Sequence, residues 1–600
     1  MSTYRAPLDE MRFVMNELAG LPQVATLPGY TDADPDTVAA ILEEAGKFAT
    51  DVLDPLNRPG DQRGSVRQDD GSVVTPPGFR DAYWKFVEQG WNGLSKSPAF
   101  GGQGLPQLVA AAVEEMWHAS NMAFDLCPML TQGAIEAIEL NGSDELKRRY
   151  LPKMVAGEWT GTMNLTEPQA GSDLAAVRTR AVPQPDGSYK LFGQKIFITY
   201  GEHDYTENIV HMVLGRVPDA PEGVKGISLF LVPKFIPDAD GKPGERNDVH
   251  CVSIEHKLGI HASPTCVMSY GEKGGATGWI IGEANRGLEY MFIMMNLARY
   301  TVGLEGVGIA ERAYQRAVAY ARDRVQGRAV GVEKGAKAGA IIEHPDVRRM
   351  LMTMRAWTEA IRAVAYVTGA AMDNASRHPD AGMRKRHQAF VDLMIPIVKG
   401  HSTELGQEVA SLGLQVHGGM GFIEETGAAQ HYRDARITTI YEGTTGIQAN
   451  DLIGRKTARD GGAVAREVAR EIAVVASRLG SSPDADLQAI GVRLAAAEAA
   501  LQRAIDWIVP AFGQNTRVAH AGAVGYLRLW GTVAGGWQMA RAAEIAKKKL
   551  AAREGDPGFW NAKVTTARYY ADALLPWSEA YAALATGGGE AAIALAAERF

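Results

Sequence analysis

One carboxylate, Glu442, stands between an apolar run and a turn rich in glycine and threonine, in the stretch ITTIYEGTTGIQ (residues 437–448). A carboxylate held beside a substrate serves as a general base that removes a proton. An acid on a surface turn adds only solubility. The β-branched lead-in is typical of a strand. The stretch alone leaves both interpretations open, so the rest of the sequence has to decide between them.

A second stretch, MNLTEPQAGSDLAAV (residues 163–177), gathers hydroxyls and small residues. Thr166 and Ser172 supply hydroxyl groups, Ala170 and Gly171 allow close approach to the backbone, and Asp173 is placed to brace the turn. Such a loop suits a planar cofactor that makes several hydrogen bonds. A structural β-turn is the alternative interpretation.

Two further stretches fit the same kind of ligand. In GQKIFITYGEHD, Phe197 and Thr199 are two residues apart on a predicted strand and therefore share a face. An aromatic ring and a hydroxyl on one face could lie against a ring system, although a core phenylalanine with a satisfied threonine has the same spacing. In LQVHGGMGFIEE, residues 414–425, glycines follow a predicted helix end.

Several common chemistries lack their motifs. The chain contains no GxxxxGK[ST], HExxH or GxSxG pattern, and its histidines form no cluster with ligand spacing, so we predict no metal site. The glycines of GLEGVGIAER resemble a dinucleotide loop, but they lie in a helical pattern without a preceding strand. We interpret them as helix-packing glycines.

Composition indicates a soluble multidomain protein. The chain has 600 residues, of which 46% are hydrophobic and 22% charged, and no apolar run spans a bilayer. Three cysteines and the absence of a secretory signal predict the cytoplasm. The net charge of -8 argues against a nucleic-acid binder.

The patterning predicts an α+β multidomain fold with segregated helices and strands. We expect an N-terminal helical domain, a middle antiparallel β-barrel-like domain, a C-terminal four-helix bundle and an extra C-terminal helical domain. The predicted segments are an N-terminal extension over residues 1–35, the helical domain over 36–158, the β domain over 159–284, the bundle over 285–457 and the extra domain over 463–600.

These stretches, in this order, resemble the acyl-CoA dehydrogenase family of flavoproteins. The patterns TEPxAGSD, GxKxxIT, QxxGGxGF, RDA[KR]I and IYEGT recur at about family spacing, and the resemblance covers residues 36 to 456. It implies an α domain, a β domain and a helical bundle, with FAD bound where they meet. It also implies an acyl-CoA substrate.

The resemblance gives Glu442 a role. In this family the glutamate of the YEGT element removes the α proton of an acyl-CoA thioester while the β hydride moves to flavin N5. Its backbone N–H and a flavin ribityl hydroxyl form the oxyanion hole. Some relatives carry the base just before the arginine of the first long bundle helix, but here Ala298 precedes Arg299. Glu442 is therefore the predicted catalytic base, and Thr444 or Thr445 is expected to cap the helix that follows.

Other site residues follow from matched motif positions. Two departures from the family pattern weaken single contacts: Phe197 replaces a more frequent tryptophan, and Gly327 follows Gln326 where the family prefers phenylalanine. Arg324 and Gln326 match an element that reaches the FAD of a neighbouring subunit. Arg299 could instead be a helix-surface arginine in a salt bridge. The resemblance implies substrate contacts at Arg299, Tyr441 and Gly443, and FAD contacts at Met163, Leu165, Thr166, Gly171, Ser172, Phe197, Thr199, Arg324, Gln326, Gln415, Gly418, Gly419 and Thr444.

The opening YRAPLDEMRFVMNEL and the long tail resemble the branch with a C-terminal extension that includes 3-methylmercaptopropionyl-CoA dehydrogenases. This implies a short- to medium-chain substrate, with 3-methylthiopropionyl-CoA among the candidates. An electron-transferring flavoprotein is the implied acceptor, and we expect the tail to pack over the bundle and a homodimer to form.

Two alternatives remain on the same fold. One is an acyl-CoA oxidase. The other is a DNA-associated alkylation-response relative, which the nearly balanced charge of residues 463–600 disfavours.

Overall fold

The computed structural model describes residues 3–30, 32–331, 335 and 337–600. The chain forms two compact units. We call them the bundle unit, which comprises Met1–Gly46, Pro106–Ala119 and Val302–Phe600, and the sheet unit, which comprises Lys47–Leu105 and Ser120–Thr301.

Helices account for most of the described chain, as the amphipathic pattern predicts. Their bounds are α1 Leu8–Phe13, α2 Leu21–Val24, α3 Pro35–Phe48, α4 Asp54–Arg63, α5 Phe79–Glu88, α6 Gln107–Asn141, α7 Asp144–Ala156, α8 Gly287–Asp323, α9 Pro345–Arg377, α10 Ala381–His417, α11 Ala428–Thr438, α12 Thr445–Gly454, α13 Ala463–Gly480, α14 Ala485–Gln514, α15 Thr516–Ala521, α16 Ala523–Ala552, α17 Pro557–Tyr569, α18 Trp577–Gly587 and α19 Gly589–Ala594. Within the described ranges, none of these helices has the length and apolarity needed to cross a membrane.

The strands lie between residues 66 and 281. They are β1 Val66–Arg67, β2 Val73–Val74, β3 Trp159–Asn164, β4 Arg180–Pro183, β5 Tyr189–Thr199, β6 Asn208–Gly215, β7 Ser228–Pro233, β8 Phe235–Pro237, β9 Pro243–Arg246, β10 Val249–Ile254, β11 Thr265–Tyr270 and β12 Ala276–Ile281. Strands β1 and β2 pair with each other inside the stretch that we predicted to be helical. Two residues each are too few to show an alternating pattern.

The main sheet of the sheet unit runs β10-β11-β5-β12-β7-β6-β3, with β4 beside β5. The predicted antiparallel pairing holds along most of it, but β3 runs parallel to β6, with Trp159 opposite Asn208. A parallel pair needs a long crossover connection, which β4 and β5 provide here. The buried face includes Leu191, Ile198 and Phe230 and forms a core of its own.

In the bundle unit, α8 lies very close to α10. A Cβ atom added to Gly303 would come within 2.5 Å of Val398 Cγ1, and one added to Gly306 would come within 2.5 Å of the Ser402 carbonyl oxygen. Only glycine permits this approach of the two backbones. The interpretation of GLEGVGIAER as helix-packing glycines is confirmed.

The tail packs over the bundle, as predicted, because α16 contacts α9, α10 and α12. The interface is tight. A Cβ atom added to Gly400 of α10 would lie 2.6 Å from Leu527 Cδ2 of α16. Arg528, also on α16, forms ion pairs with Glu404 and Glu408 of α10 at 3.1 and 2.7 Å.

Candidate active site

The stretch ITTIYEGTTGIQ joins two helices of the bundle unit. Helix α11 extends through Thr438, and α12 begins at Thr445, so the predicted strand-like lead-in is wrong. The β-branched residues Ile437 and Thr438 extend the helix that includes the preceding YRDAR. Tertiary contacts outweigh their local strand propensity. The loop between the two helices carries Glu442.

Glu442 and Gly443 form a left-handed turn in this loop, with φ angles of 53° and 88°. Such a φ is uncommon for a residue with a side chain, and it persists only where the surroundings impose it. A Cβ atom on residue 443 would lie 2.6 Å from Gln448 Nε2. The glycine is therefore required by both the backbone conformation and the packing.

Two buried side chains impose the turn through its carbonyl groups. Lys399 Nζ donates to the carbonyl oxygens of Thr438 at 2.7 Å and Gly443 at 2.8 Å. Gln448 Nε2 donates to the carbonyl oxygens of Glu442 at 3.2 Å and Gly443 at 3.3 Å. The donors Lys399 and Gln448 are fully buried, which strengthens their hydrogen bonds.

The two threonines after the turn have separate partners. Thr444 is the N-cap of α12 and accepts a hydrogen bond from the Ile447 N–H at 3.2 Å, as predicted. Thr445 donates its hydroxyl to Glu404 Oε1 at 2.6 Å. Glu404 also binds Arg528, so the loop that carries Glu442 is connected to the tail helix α16.

Tyr441, a predicted substrate contact, directs its hydroxyl towards α8. There it donates a hydrogen bond to Glu305 Oε2. The phenol of Tyr441 therefore has a partner within the protein.

The predicted FAD contacts of the bundle unit lie at the end of α10 and after α8. Gln415, Gly418 and Gly419 are exposed, and Cβ atoms added to the two glycines would meet nothing within 4 Å. Gly418 has a φ of 57° and terminates the helix. Arg324 and Gln326 are exposed just beyond the end of α8.

The sheet unit carries the loop after β3. Glu167 and Ala170 exchange backbone hydrogen bonds at 2.9 Å and close a tight turn. Asp173 accepts a hydrogen bond from the Ala175 N–H at 2.9 Å and braces the loop, as predicted. Gly171 and Ser172 are exposed at its tip, whereas Met163, Leu165 and Thr166 are less accessible.

A buried ion pair holds this loop on β5. Lys195 Nζ lies 2.8 Å from Glu167 Oε1 and donates to the Leu165 carbonyl oxygen at 3.0 Å. Burial opposes ionisation of Glu167, but Lys195 and the hydrogen bonds from Thr179 and Arg178 outweigh it and lower the pKa of Glu167 to about 2. Burial lowers the pKa of Lys195 to about 8 against the pull of Glu167. Both groups are therefore charged at neutral pH.

Phe197 and Thr199 lie at an irregularity in β5. The pairing with β11 shifts between Cys266 and Met268, and Phe197 has a φ of 60°. Phe197 is 59% exposed, Ile198 is buried in the core, and Thr199 is half-buried. Phe197 therefore lies outside the core, and the alternative of a core phenylalanine is wrong.

Arg299 lies in α8 and is only 4% exposed. The alternative of a helix-surface arginine is therefore wrong. Ala298 beside it is buried and has no ionisable group, so the relocated-base position carries no acid.

The residues present fit FAD by three observations. The exposed ring of Phe197 offers a surface for a planar group, and the loop after β3 presents exposed polar groups. Gly171, Gly418 and Gly419 face open space that a side chain would fill. Aromatic, hydroxyl and glycine positions of this kind suit a ring system with a polar tail.

Four residues that shape these loops were not predicted from the sequence: Lys195, Glu305, Lys399 and Gln448. A lysine inside an apolar helical run, as in MIPIVKG, is a signal that could have indicated Lys399. Lys195 lies in the GxKxxIT pattern itself. Glu305 and Gln448 carry no comparable signal.

Comparison with family models accounts for nearly the whole chain. Residues 35–158 match the acyl-CoA dehydrogenase N-terminal domain, 162–271 the middle domain and 285–456 the C-terminal domain of that family. Residues 464–596 match a domain described as acetyl-CoA dehydrogenase C-terminal like.

Individual proteins give the same result. The chain is 52% identical over 573 residues to a 3-methylmercaptopropionyl-CoA dehydrogenase of Ruegeria pomeroyi, covering 96% of each chain. It is 34% identical to a butyryl-CoA dehydrogenase of Syntrophomonas wolfei, covering 96% of this chain and 95% of that one. The solved structure of an acyl-CoA dehydrogenase complexed with FAD from Bacillus anthracis shares the fold, with a TM-score of 0.72 at 22% identity over 93% of this chain and 89% of that one.

Proposed function

Because this chain belongs to the acyl-CoA dehydrogenase family, we propose that Glu442 is the base of its FAD-dependent reaction on an acyl-CoA thioester. The observation that carries this proposal is the left-handed turn at Glu442. Lys399 and Gln448 donate hydrogen bonds to the carbonyl groups of this turn. A non-glycine residue in such a conformation, supported by buried side chains, is typical of a functional site.

The reaction removes two hydrogens from adjacent carbons of the acyl chain. The Glu442 carboxylate takes the α proton, and the electrons of that C–H bond form the new double bond. When bound, FAD supplies the ring that accepts the β hydride. The Glu442 N–H donates towards the thioester carbonyl oxygen, where negative charge develops. Lys399 and Gln448 hold the carbonyl groups of Glu442 and Gly443, which directly follow this N–H in the chain, and so fix the turn before the substrate arrives.

We extend the proposal to the residues that hold the cofactor and the substrate. In the sheet unit these are FAD contacts at Met163, Leu165, Thr166, Gly171, Ser172, Phe197 and Thr199, and in the bundle unit at Arg324, Gln326, Gln415, Gly418, Gly419 and Thr444. Arg299, Tyr441 and Gly443 are proposed substrate contacts. Their support is the motif match together with the exposure of Phe197 and the open space at the glycines.

For the acyl group we propose a short- to medium-chain acyl-CoA, with 3-methylthiopropionyl-CoA as the first candidate. The support is the 52% identity to a 3-methylmercaptopropionyl-CoA dehydrogenase, over 96% of that relative's length. By family resemblance we also propose an electron-transferring flavoprotein as the electron acceptor, a homodimer, a location in the cytoplasm and a role in β-oxidation.

The experiment is an anaerobic titration of the FAD-loaded protein with a panel of acyl-CoAs from butyryl-CoA to 3-methylthiopropionyl-CoA, followed by flavin absorbance. We expect bleaching, most completely by 3-methylthiopropionyl-CoA. Re-oxidation in air, with hydrogen peroxide measured, separates an oxidase from a dehydrogenase. If no acyl-CoA bleached the flavin, the proposal would be overturned.

A further inference from the structure

A second carboxylate lies within the protein close to Glu442. Glu305, on α8, is fully buried, and its Oε2 accepts the hydrogen bond of the Tyr441 hydroxyl. Tyr441 is the residue immediately before Glu442 in the chain. The hydrogen bond therefore connects a bundle helix to the turn that presents the proposed base.

The other oxygen of Glu305 is unusual for a buried group. Among the residues that the structure describes, Oε1 has no hydrogen-bond partner although the atom is buried. A buried anion with an unsatisfied oxygen is costly, whereas a neutral carboxylic acid has a much smaller cost. Glycines on both sides of Glu305 permit the close α8–α10 contact that excludes water here.

The charges that face Glu305 are Lys399 on α10 and Glu442 on the loop. Burial raises the pKa of Glu305 to about 8, and the charge of Glu442 acts in the same direction. The hydrogen bond from Tyr441 and the charge of Lys399 oppose the shift without cancelling it. Glu305 is therefore mostly protonated at pH 7, while Lys399 is occupied by the two carbonyl groups of the turn.

We propose that Glu305 is a positioning residue for Glu442. In the neutral form of its carboxyl group, Glu305 holds Tyr441 and, through Tyr441, the left-handed turn. This inference rests on the proposed function, in which Glu442 is the base. Neutrality has a chemical purpose. A second anion at this point would repel the carboxylate of Glu442, whereas a neutral acid accepts the tyrosine hydrogen bond without adding charge.

The test compares the rate of flavin reduction by acyl-CoA in stopped flow for Glu305→Ala, Glu305→Gln, Tyr441→Phe and the double variant Glu305→Ala/Tyr441→Phe. The control is Tyr366→Phe, which removes a more deeply buried tyrosine–glutamate hydrogen bond, to Glu115 at 2.6 Å, elsewhere in the bundle unit. The wild-type flavin is first shown to be bleached by acyl-CoA. If it is not bleached, the proposed function is wrong, and this failure is distinct from a failure of the inference about Glu305.

We expect Glu305→Ala and Tyr441→Phe to reduce the flavin about 10- to 100-fold more slowly, on the scale of a lost positioning contact. The double variant should be no slower than the slower single variant, because both remove one interaction. Substrate deuterated at the α carbon should show a larger isotope effect in these variants. Glu305→Gln, which is neutral and accepts the same hydrogen bond, should restore the rate to within about threefold of the wild type. In the wild type the rate of flavin reduction should change near pH 8, where Glu305 ionises, and Glu305→Gln should abolish this change.

Three results would overturn the proposal. One is wild-type rates in Glu305→Ala. Another is a rate of flavin reduction in Glu305→Gln as low as in Glu305→Ala, because a neutral acceptor would then not be sufficient to hold Tyr441. The third is an equal loss in Tyr366→Phe, which would indicate general destabilisation.

Discussion

Lys399 joins the last turn of α11 to the residue after Glu442, because its ammonium group donates hydrogen bonds to the carbonyl oxygens of Thr438 and Gly443. The lysine itself is fully buried. The geometry of the catalytic loop therefore depends on a helix outside that loop.

Replacement of Lys399 by methionine should damage both activity and stability. It removes the lysine donor from the Thr438 carbonyl and leaves the Gly443 carbonyl with Gln448 alone, and a buried carbonyl that loses its donor costs roughly 1–3 kcal/mol. We expect a lower Tm and at least a tenfold slower reduction of flavin by acyl-CoA. Lys385→Met, at an exposed position of the same helix, is the control and should change neither. Wild-type kinetics in Lys399→Met would contradict the role of the lysine.

Glu442→Gln should retain FAD and lose turnover. A positioned general base typically contributes about two to four orders of magnitude in rate, and the amide cannot accept the α proton. Steady-state turnover and flavin absorbance measure the two effects separately. Glu467→Gln removes an exposed acid from α13 and should leave turnover as it is. Activity retained in Glu442→Gln would remove Glu442 from the mechanism.

Gly443→Ala should disrupt the turn. The substitution forces a side chain into a φ of 88° and brings its Cβ atom within 2.6 Å of Gln448 Nε2. Strain of this kind costs about 1–3 kcal/mol, and we expect slower turnover with FAD still bound. Gly587→Ala meets open space and has no left-handed backbone, so it serves as the control. Equal turnover in the two variants would argue against a strained loop.

Phe197→Ala should weaken FAD binding and leave the apoprotein fold intact. The ring is 59% exposed, so its removal creates no core cavity. Loss of one stacking contact at an exposed site is worth about 1 kcal/mol, which corresponds to a roughly fivefold weaker Kd for FAD. Fluorescence titration of the apoprotein with FAD measures the Kd. An unchanged Kd accompanied by a lower Tm of the apoprotein would mean that the ring is structural.

Glu305 should make stability depend on pH. Its pKa is about 8 in the folded protein against the ordinary value of 4.5. Between these values the folded state holds a proton that the unfolded state has lost, so this contribution to stability is complete below pH 4.5 and falls as the pH rises towards 8. The Tm of Glu305→Gln relative to the wild type should increase over this window. A constant difference in Tm from pH 5 to pH 9 would contradict the raised pKa.

How far the sequence predicts the site depends on whether a residue acts through its neighbours in the chain or through distant ones. Thr444 caps α12 and Asp173 braces its turn, as local patterns predict. Phe197 lies outside the core. The β-bulge that gives Phe197 its left-handed backbone depends on pairing with β11, which no local pattern specifies.

The strand predicted before Tyr441 shows the opposite failure. Isoleucine and threonine favour strands locally, yet the segment ends a helix packed against α10. Lys399 and Glu305 were missed for a related reason. Their roles arise only when α8 and α10 meet the loop, and α10 is brought there by glycines rather than by any charged motif.

The ion pairs of Arg528 have a consequence for the minimal length of a working chain. Thr445 donates to Glu404, and Glu404 is paired with Arg528 of α16, so the tail neutralises an acid that touches the catalytic loop. A chain cut after residue 456 would leave Glu404 and Glu408 without this arginine and uncover the glycine face of α10 on which Leu527 lies. Through Glu404, the tail after residue 456 therefore supports the loop, and engineering towards a shorter enzyme would have to redesign α10 first.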